Sequence, residues 1–140
     1  MKKIILLFFL LVVLVGCSSR TSLNANMYEI KDYKCEEEFD DYYEILNTYE
    51  DYQKNKNYER MNNYSKDFFS NSSLVIIFIK DSTNANKYAL KDSFEFNNVL
   101  KVSLERVSQG FSQVFSIVSY CIEIDSKNIK RVEINKIMND

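Results

Sequence analysis

Apolar residues form three patterns in the second half of the chain. Residues 74–79 are six consecutive apolar residues, most of them β-branched, which predicts a strand that is buried on both faces. Apolar and polar residues then alternate over 88–96 and again over 100–104. Alternation with a period of two predicts two half-buried strands, and further strands are predicted at 114–125 and 131–137.

Asn97 and Asn98 separate the two alternating segments and predict a hairpin turn. A three-residue loop would place apolar residues opposite each other and complementary charges on the outer face. The predicted pairs are Phe96 with Leu100, Phe94 with Val102, Lys91 with Glu105, and Glu95 with Lys101. We therefore predict a hairpin loop of odd length.

Residues 33–55 show a helical period instead. Their apolar positions are spaced by four, three, four and three residues, at Cys35, Phe39, Tyr42, Leu46 and Tyr49. The predicted fold class is therefore α+β: one N-terminal amphipathic helix packed on an antiparallel sheet, or on a partly open barrel, of about five strands.

The first residues of the chain have the pattern of an export signal. Lys2 and Lys3 precede twelve consecutive apolar residues, too few for the ~20 that cross a bilayer as a helix. The Leu-Val-Gly-Cys sequence that ends at Cys17 resembles the bacterial lipobox, in which the cysteine is lipidated and the chain is cut before it. We predict a removed signal peptide at 1–16, a lipidated Cys17 with a flexible tether at 17–27, and a single domain at 28–140. The chain would then sit on the extracytoplasmic side of the cell membrane, anchored by lipid.

The amino-acid composition excludes several kinds of catalytic and metal site. The 140 residues carry a formal net charge of −2 and include no histidine, proline or tryptophan. Histidine-based triads and histidine-ligated metal sites are therefore excluded, and we expect no metal, no cofactor and no nucleic-acid partner. Once Cys17 is lipidated, Cys35 and Cys121 remain. They form either a disulfide, which export permits, or two unrelated core positions.

Several segments together resemble the C-terminal domain of PrcB-type protease-complex lipoproteins. The residues that carry the resemblance are 37–39, Asp67 with Phe68, 73–78, Tyr88 with Ala89 and Leu90, and 119–124. That family has a Pro-Thr-Gly-Gly-Tyr turn after its buried strand, of which this chain keeps Thr83 and Tyr88. The resemblance implies a non-catalytic subunit that tethers or stabilises an exported protease.

Three functions follow from these patterns. The first is a non-catalytic domain that binds another protein, with the loop residues Thr83, Asn84, Asn86 and Tyr88 as the candidate contact. The alternative is a surface module for a small ligand or glycan, with Tyr88, Phe94, Phe96 and Tyr120 lining a groove. We do not expect an enzyme, because Cys121 has no histidine to activate it.

Overall fold

The structure, a computed structural model, describes residues 21–31, 41–81, 86–108 and 116–138. These ranges contain eight strands: β1 Thr21–Ser22, β2 Ala25–Ile30, β3 Tyr42–Leu46, β4 Ser73–Asp81, β5 Lys87–Phe96, β6 Val99–Ser108, β7 Ser116–Ile124 and β8 Arg131–Ile137. One helix, α1 (Tyr49–Lys54), and two 3-10 turns, Tyr58–Arg60 and Phe68–Ser70, lie between β3 and β4.

The strands form two four-stranded sheets that pack face to face. Sheet 1 has the order β1-β5-β6-β8 and sheet 2 the order β2-β7-β4-β3, with all neighbours antiparallel except β6 and β8, which are parallel. Side chains from both sheets share one apolar core, so the fold is a β-sandwich. The predicted α+β fold is therefore wrong, and the described ranges contain no N-terminal amphipathic helix.

Strand β4 lies inside sheet 2 and is covered on both faces, as its uninterrupted apolar sequence predicted. Val75, Ile77 and Ile79 face sheet 1, whereas Leu74, Ile76 and Phe78 face the opposite side. All six side chains are at most 2% exposed. The prediction of a doubly buried strand is confirmed, and it requires a layer of structure on each side of sheet 2.

The second covering layer is residues 49–70, which contain α1, the two 3-10 turns and the segments between them. Its aromatic rings pack on sheet 2 and on each other, with ring centroids 5.6 Å apart for Tyr52 and Tyr64 and 5.7 Å apart for Tyr52 and Phe69. Edge-to-face and tilted contacts at these distances are favourable for aromatic pairs. The six-residue helix is held mainly by this packing, because so short a helix is marginal alone.

The apolar spacing predicted one helix over 33–55, and this prediction is wrong for the residues that the structure describes. Tyr42–Leu46 is strand β3, paired with β4, and only Tyr49–Lys54 is helical. Thr48 separates the two elements because its hydroxyl oxygen accepts a hydrogen bond from the Asp51 N–H and caps the helix there. Residues 32–40, including Cys35 and Phe39, lie outside the described ranges.

The predicted tether at 17–27 belongs to the fold from Thr21 onward. Thr21–Ser22 pairs with β5 in sheet 1, and Ala25–Ile30 pairs with β7 in sheet 2. Leu23, Ala25 and Met27 pack against the core between the sheets. These three apolar residues alternate with polar ones, which is the pattern of a strand. The pattern is weak because the residues around it are polar.

The hairpin between β5 and β6 has a two-residue turn, so the predicted odd-length loop is wrong. Asn97 and Asn98 have φ values of 52° and 61°, the left-handed conformation that a type I′ turn needs. Phe96 therefore faces Val99, and Glu95 faces Leu100. The charged partner is tolerated because Glu95 lies at the end of the sandwich, where its carboxylate accepts a hydrogen bond from the Ser126 hydroxyl.

A bulge at Lys91 reverses the side-chain alternation within β5. Leu90 pairs with Leu104, whereas Asp92 pairs with Ser103, so Lys91 is the extra residue. Tyr88 and Leu90 consequently pack on the core, and Phe94 and Phe96 lie on the outer face. The predicted ion pair from Lys91 to Glu105 is present at 3.4 Å, but Lys101 pairs with Glu133 at 2.9 Å instead of with Glu95.

The left-handed backbone at Asn98 gives a direct test of the turn. Asn98→Gly is expected to keep or raise the free energy of unfolding, because Asn-Gly is the preferred type I′ pair. Asn98→Val is expected to lower it by ~1–3 kcal/mol, because a β-branched residue is strained at positive φ. Urea denaturation of both variants measures the difference, and equal stabilities would contradict the two-residue turn.

Candidate functional site

A groove of about 470 Å³ runs along the side of the sandwich where the first strands change sheets. It is lined by Ala25, Asn26, Met27, Tyr28 and Glu29 of β2, by Lys87, Tyr88, Ala89 and Leu90 of β5, and by Val107 and Tyr120. Consecutive residues of a strand point to opposite faces of the sheet. A groove lined by consecutive residues therefore follows the edge of each strand and not a face.

The groove exists because β1 and β2 belong to different sheets. The Leu23 N–H still donates to the Ser93 carbonyl at 3.3 Å, and after Leu23 the chain leaves β5 for sheet 2. In the described ranges, β2 pairs only with β7, and no strand continues β1 along the half of β5 that begins at Lys87. Among the described residues, no further strand therefore pairs with the outer edge of β2 or with this half of β5, and the two edges lie beside each other.

Two buried tyrosines form the floor of the groove. The Tyr88 and Tyr120 side chains are 5% and 3% exposed, and the Tyr88 N–H donates to the Tyr120 hydroxyl at 2.9 Å. Burial raises the pKa of Tyr120, and the hydrogen bond from the Tyr88 backbone offsets part of that rise. The hydroxyl therefore stays neutral and joins the two sheets at this point.

The rim of the groove carries one ion pair and one exposed apolar side chain. Lys87 Nζ lies 3.4 Å from Glu29 Oε2, which links β5 to β2 across the opening. Both side chains are substantially exposed, so the pair contributes little to stability. Val107 is 60% exposed beside it. The rim therefore offers both signs of charge and an apolar contact to a binding partner.

The loop that the sequence suggested for partner binding is only partly described. Thr83 and Asn84 lie outside the described ranges. Asn86 and Tyr88 are both buried, so their side chains are not exposed loop contacts as predicted. Tyr88 instead forms part of the groove floor. Ala25, Asn26 and Met27 were missed because they were assigned to the tether, and Tyr28 and Glu29 because no strand was predicted there.

The four aromatic residues proposed for a ligand groove do not share a surface. Tyr88 and Tyr120 are buried in the core between the sheets. Phe94 and Phe96 lie on the other side of β5, with Phe96 37% exposed. The bulge at Lys91 causes this separation, because it reverses the inward and outward positions of the strand.

A partly buried polar network lies under the second covering layer of sheet 2. The Tyr64 hydroxyl donates to Glu123 Oε1 at 2.5 Å and lies 3.0 Å from the Tyr28 hydroxyl. The Asn62 N–H donates to the Tyr28 oxygen at 3.1 Å, and Asn26 donates to the other Glu123 oxygen. Desolvation is the main cause that raises the pKa of both Tyr28 and Tyr64.

Cys121 lies beside this network as a free and fully buried thiol. Burial raises its pKa to about 12, although hydrogen bonding to Tyr28 and Tyr64 offsets part of the rise. Such a thiol is almost wholly protonated and shielded from reagents at neutral pH, which makes it a core residue in this structure. Cys35, its predicted partner, and Cys17 lie outside the described ranges, so the bridge and the lipidation stay predictions.

A second hollow, of about 560 Å³, lies at the end of the sandwich beside α1. It is lined by Asn47, Thr48, Tyr49, Glu50, Gln53, Lys66, Phe69, Ser70 and Lys127. Asn47 fixes the hollow against sheet 2, since its amide donates to the Ile129 carbonyl at 3.0 Å and accepts from Ser73 at 2.8 Å. The exposed side chains around the opening are mainly polar.

Within the described ranges, no group of three or more cysteine, aspartate or glutamate side chains converges to hold a metal ion. No helix in those ranges is long and apolar enough to cross a membrane.

Comparison with known proteins gives no relative for this chain: no protein-family model matches it, and neither a curated protein nor a solved structure is significantly similar to it.

Proposed function

We propose that this chain is a lipoprotein, anchored through Cys17 to the extracytoplasmic side of the cell membrane, whose β-sandwich binds another protein without catalysing a reaction. The binding site in this proposal is the groove between β2 and β5. The anchor is supported by the basic start, the length of the apolar run and the position of Cys17 after Gly16.

The observation that carries the binding proposal is that the groove follows two open strand edges. An open edge presents backbone N–H and C=O groups that an extended segment of another protein can pair with. The Tyr88 N–H of β5 already donates to the Tyr120 hydroxyl, so an added strand would take its backbone hydrogen bonds from the edge of β2 and gain side-chain contacts from β5. A groove of about 470 Å³ has room for a few residues of such a strand.

The side chains around the groove supply further contacts for an extended segment. Met27, Ala89 and Leu90 are half-buried and apolar, and Val107 is exposed at the rim. Glu29 and Lys87 form an exposed ion pair at the opening of the groove. Charged side chains beside a strand edge disfavour its pairing with strands of unrelated chains. A partner with its own charged residues can replace either member of the pair at small cost.

The groove chemistry supports binding better than catalysis. Its buried hydroxyl, on Tyr120, has a raised pKa and already accepts a hydrogen bond, which leaves it a poor base or nucleophile. The chain also has no histidine to serve as a general base. The sequence resemblance to protease-complex lipoproteins makes an exported protease, with this chain as an accessory subunit, the first partner to test.

Site-specific photocrosslinking in the native membrane tests the proposal. A photoreactive amino acid in place of Glu29 lies at the rim of the groove, whereas one in place of Asn135 lies exposed on β8, away from the groove. We expect one defined protein to be captured from the groove position and not from the β8 position, with mass spectrometry to identify it.

Filling the groove provides the matched control. Ala89→Trp adds an indole at a residue that lines the groove, whereas Ser103→Trp adds the same side chain on the neighbouring strand at a residue that does not line it. We expect Ala89→Trp to lower the yield of the crosslink at least about tenfold, as for a hot-spot contact, and Ser103→Trp to leave it unchanged. Equal yields in the two variants would refute the groove as the binding site.

A further inference from the structure

The position of the first strand determines which end of the sandwich is near the lipid anchor. Thr21 follows Cys17 by four residues and pairs with Glu95, two residues before the Asn97–Asn98 turn. Four residues of extended chain span at most ~14 Å. The end of the sandwich that carries this turn is therefore held close to the membrane surface if Cys17 is lipidated.

The connection between β7 and β8, residues 125–130, lies at the same end. The Lys130 N–H donates to the Asn98 carbonyl at 2.9 Å, and the Ser126 hydroxyl donates to Glu95. We call this the anchor end, defined by the Asn97–Asn98 turn and residues 125–130. Lys127 lies in it and lines the 560 Å³ hollow described above.

Two lysines from separate segments, Lys66 and Lys127, line that hollow. Lys66 and Lys127 are both exposed, and neither ammonium group forms an ion pair with any residue in the described ranges. The acid on the same lining, Glu50, is paired with Lys54. The hollow is therefore locally positive, although the chain as a whole carries a net charge of −2.

Tyr49 adds an amphipathic ring to the lining of the hollow. Tyrosine is enriched where proteins meet the headgroup region of a membrane, because its ring is apolar and its hydroxyl is polar. Lysine ammonium groups bind phosphate as compact point charges. A phosphate near an apolar surface is what a phospholipid headgroup presents at this depth.

We propose that the hollow between Lys66 and Lys127 binds the phosphate of an anionic phospholipid headgroup in the membrane that holds the anchor. The inference rests on the lipid anchor of the proposed function, and it adds how the β-sandwich is oriented relative to the membrane. The rim pair of the partner groove, Glu29 and Lys87, lies toward the opposite ends of β2 and β5. The contact at the anchor end would thus turn the rim of the groove away from the bilayer.

Lysine reactivity on vesicles tests the contact. The mature lipidated protein is placed in phosphatidylcholine vesicles with or without phosphatidylglycerol, and a membrane-impermeant amine reagent labels its lysines. We expect phosphatidylglycerol to slow labelling of Lys66 and Lys127 about fivefold each. Lys31 and Lys80, exposed at the opposite end, are expected to label at the same rate on both vesicles.

A variant and an added ion distinguish the source of the phosphate. Lys127→Gln is expected to return Lys66 toward its rate on neutral vesicles, because both lysines hold one phosphate, whereas Lys80→Gln leaves Lys66 protected. Unchanged protection of Lys66 in Lys127→Gln would overturn the shared site. Full protection by millimolar inorganic phosphate on neutral vesicles would overturn the lipid source and assign the hollow to a free anion.

The mass of the N-terminal peptide, measured in the same sample, separates the two proposals. If Cys17 is acylated and Lys66 and Lys127 label equally on both vesicles, the headgroup contact is wrong and the anchor stands. If Cys17 carries no lipid, the anchor is wrong and the headgroup contact fails with it. The photocrosslink from the groove is independent of both results.

Discussion

Replacing Ile76 or Ile77 with alanine is expected to lower the free energy of unfolding by about 2–5 kcal/mol in each case. The two side chains are adjacent on β4 and face opposite ways, and each is 0% exposed. Ile77 packs between the two sheets, and Ile76 packs under the aromatic layer of α1 and the 3-10 turns. Similar large losses at consecutive residues arise only when both faces of the strand are covered.

Ile117→Ala is the matched control for this pair. Ile117 lies on the neighbouring strand β7, pairs with Lys80, and is 42% exposed. We expect its loss to stay below about 1 kcal/mol, because less apolar surface leaves water there on folding. Urea denaturation of the three variants measures these losses in the free energy of unfolding. A small effect at Ile76 combined with a large one at Ile77 would show that the aromatic layer does not cover sheet 2.

Local patterns that depend on few residues were predicted correctly from the sequence. The doubly buried strand β4 and the last strand β8 are present where they were predicted, because a dense apolar run or a regular alternation allows few other conformations. The turn at Asn97 and Asn98 was located but given the wrong length. The predicted charge pairs favoured a loop of odd length. The two-residue turn forms because both asparagines adopt the left-handed conformation that it needs.

The helix prediction failed because two elements were read as one. Tyr42, Leu46 and Tyr49 are spaced like one face of a helix, but Tyr42 and Leu46 lie on a strand that ends two residues before Thr48 caps a short helix. Aromatic and aliphatic residues are compatible with either structure, so tertiary packing decides. The Thr48 to Asp51 capping pattern was the one local signal of the boundary.

The candidate site could not be predicted from the sequence because it is made by tertiary arrangement. Its groove depends on β1 and β2 joining different sheets, a property that no local pattern encodes. The polar network likewise brings together Tyr28, Tyr64 and Glu123, which lie far apart along the chain. The proposed lipid anchor at Cys17 is a different kind of prediction, because it depends on contiguous residues alone.

Raising the pH above 9 is expected to destabilise the fold steeply, because several buried groups resist ionisation. Burial raises the pKa of Cys121 to about 12 and also raises the pKa of Tyr28, Tyr64, Tyr52 and Tyr120. In the unfolded chain the thiol loses its proton near pH 9 and the phenols lose theirs near pH 10. The unfolded state then binds fewer protons than the native state, so stability falls as the pH rises.

Each such group lowers the free energy of unfolding by up to about 1.4 kcal/mol per pH unit once it is ionised only in the unfolded state. The loss should begin near pH 9 with the thiol and steepen above pH 10 as the tyrosines contribute. Urea denaturation at a series of pH values measures the slope as protons released on unfolding. A free energy of unfolding that stays constant up to pH 11 would contradict the buried network.

Tyr64→Phe separates the ionisation of the network from general alkaline damage. Removing the hydroxyl that donates to Glu123 is expected to lower stability at pH 7, since the carboxylate loses a hydrogen bond. The same change should reduce the proton release on unfolding above pH 10 by about one proton. The difference in the free energy of unfolding between the variant and the original protein should therefore become smaller at high pH. Tyr58→Phe, at a side chain that is 42% exposed, serves as the matched control. The slope should be unchanged in that variant, because the hydroxyl that it removes lies outside the network of Tyr28, Tyr64 and Glu123.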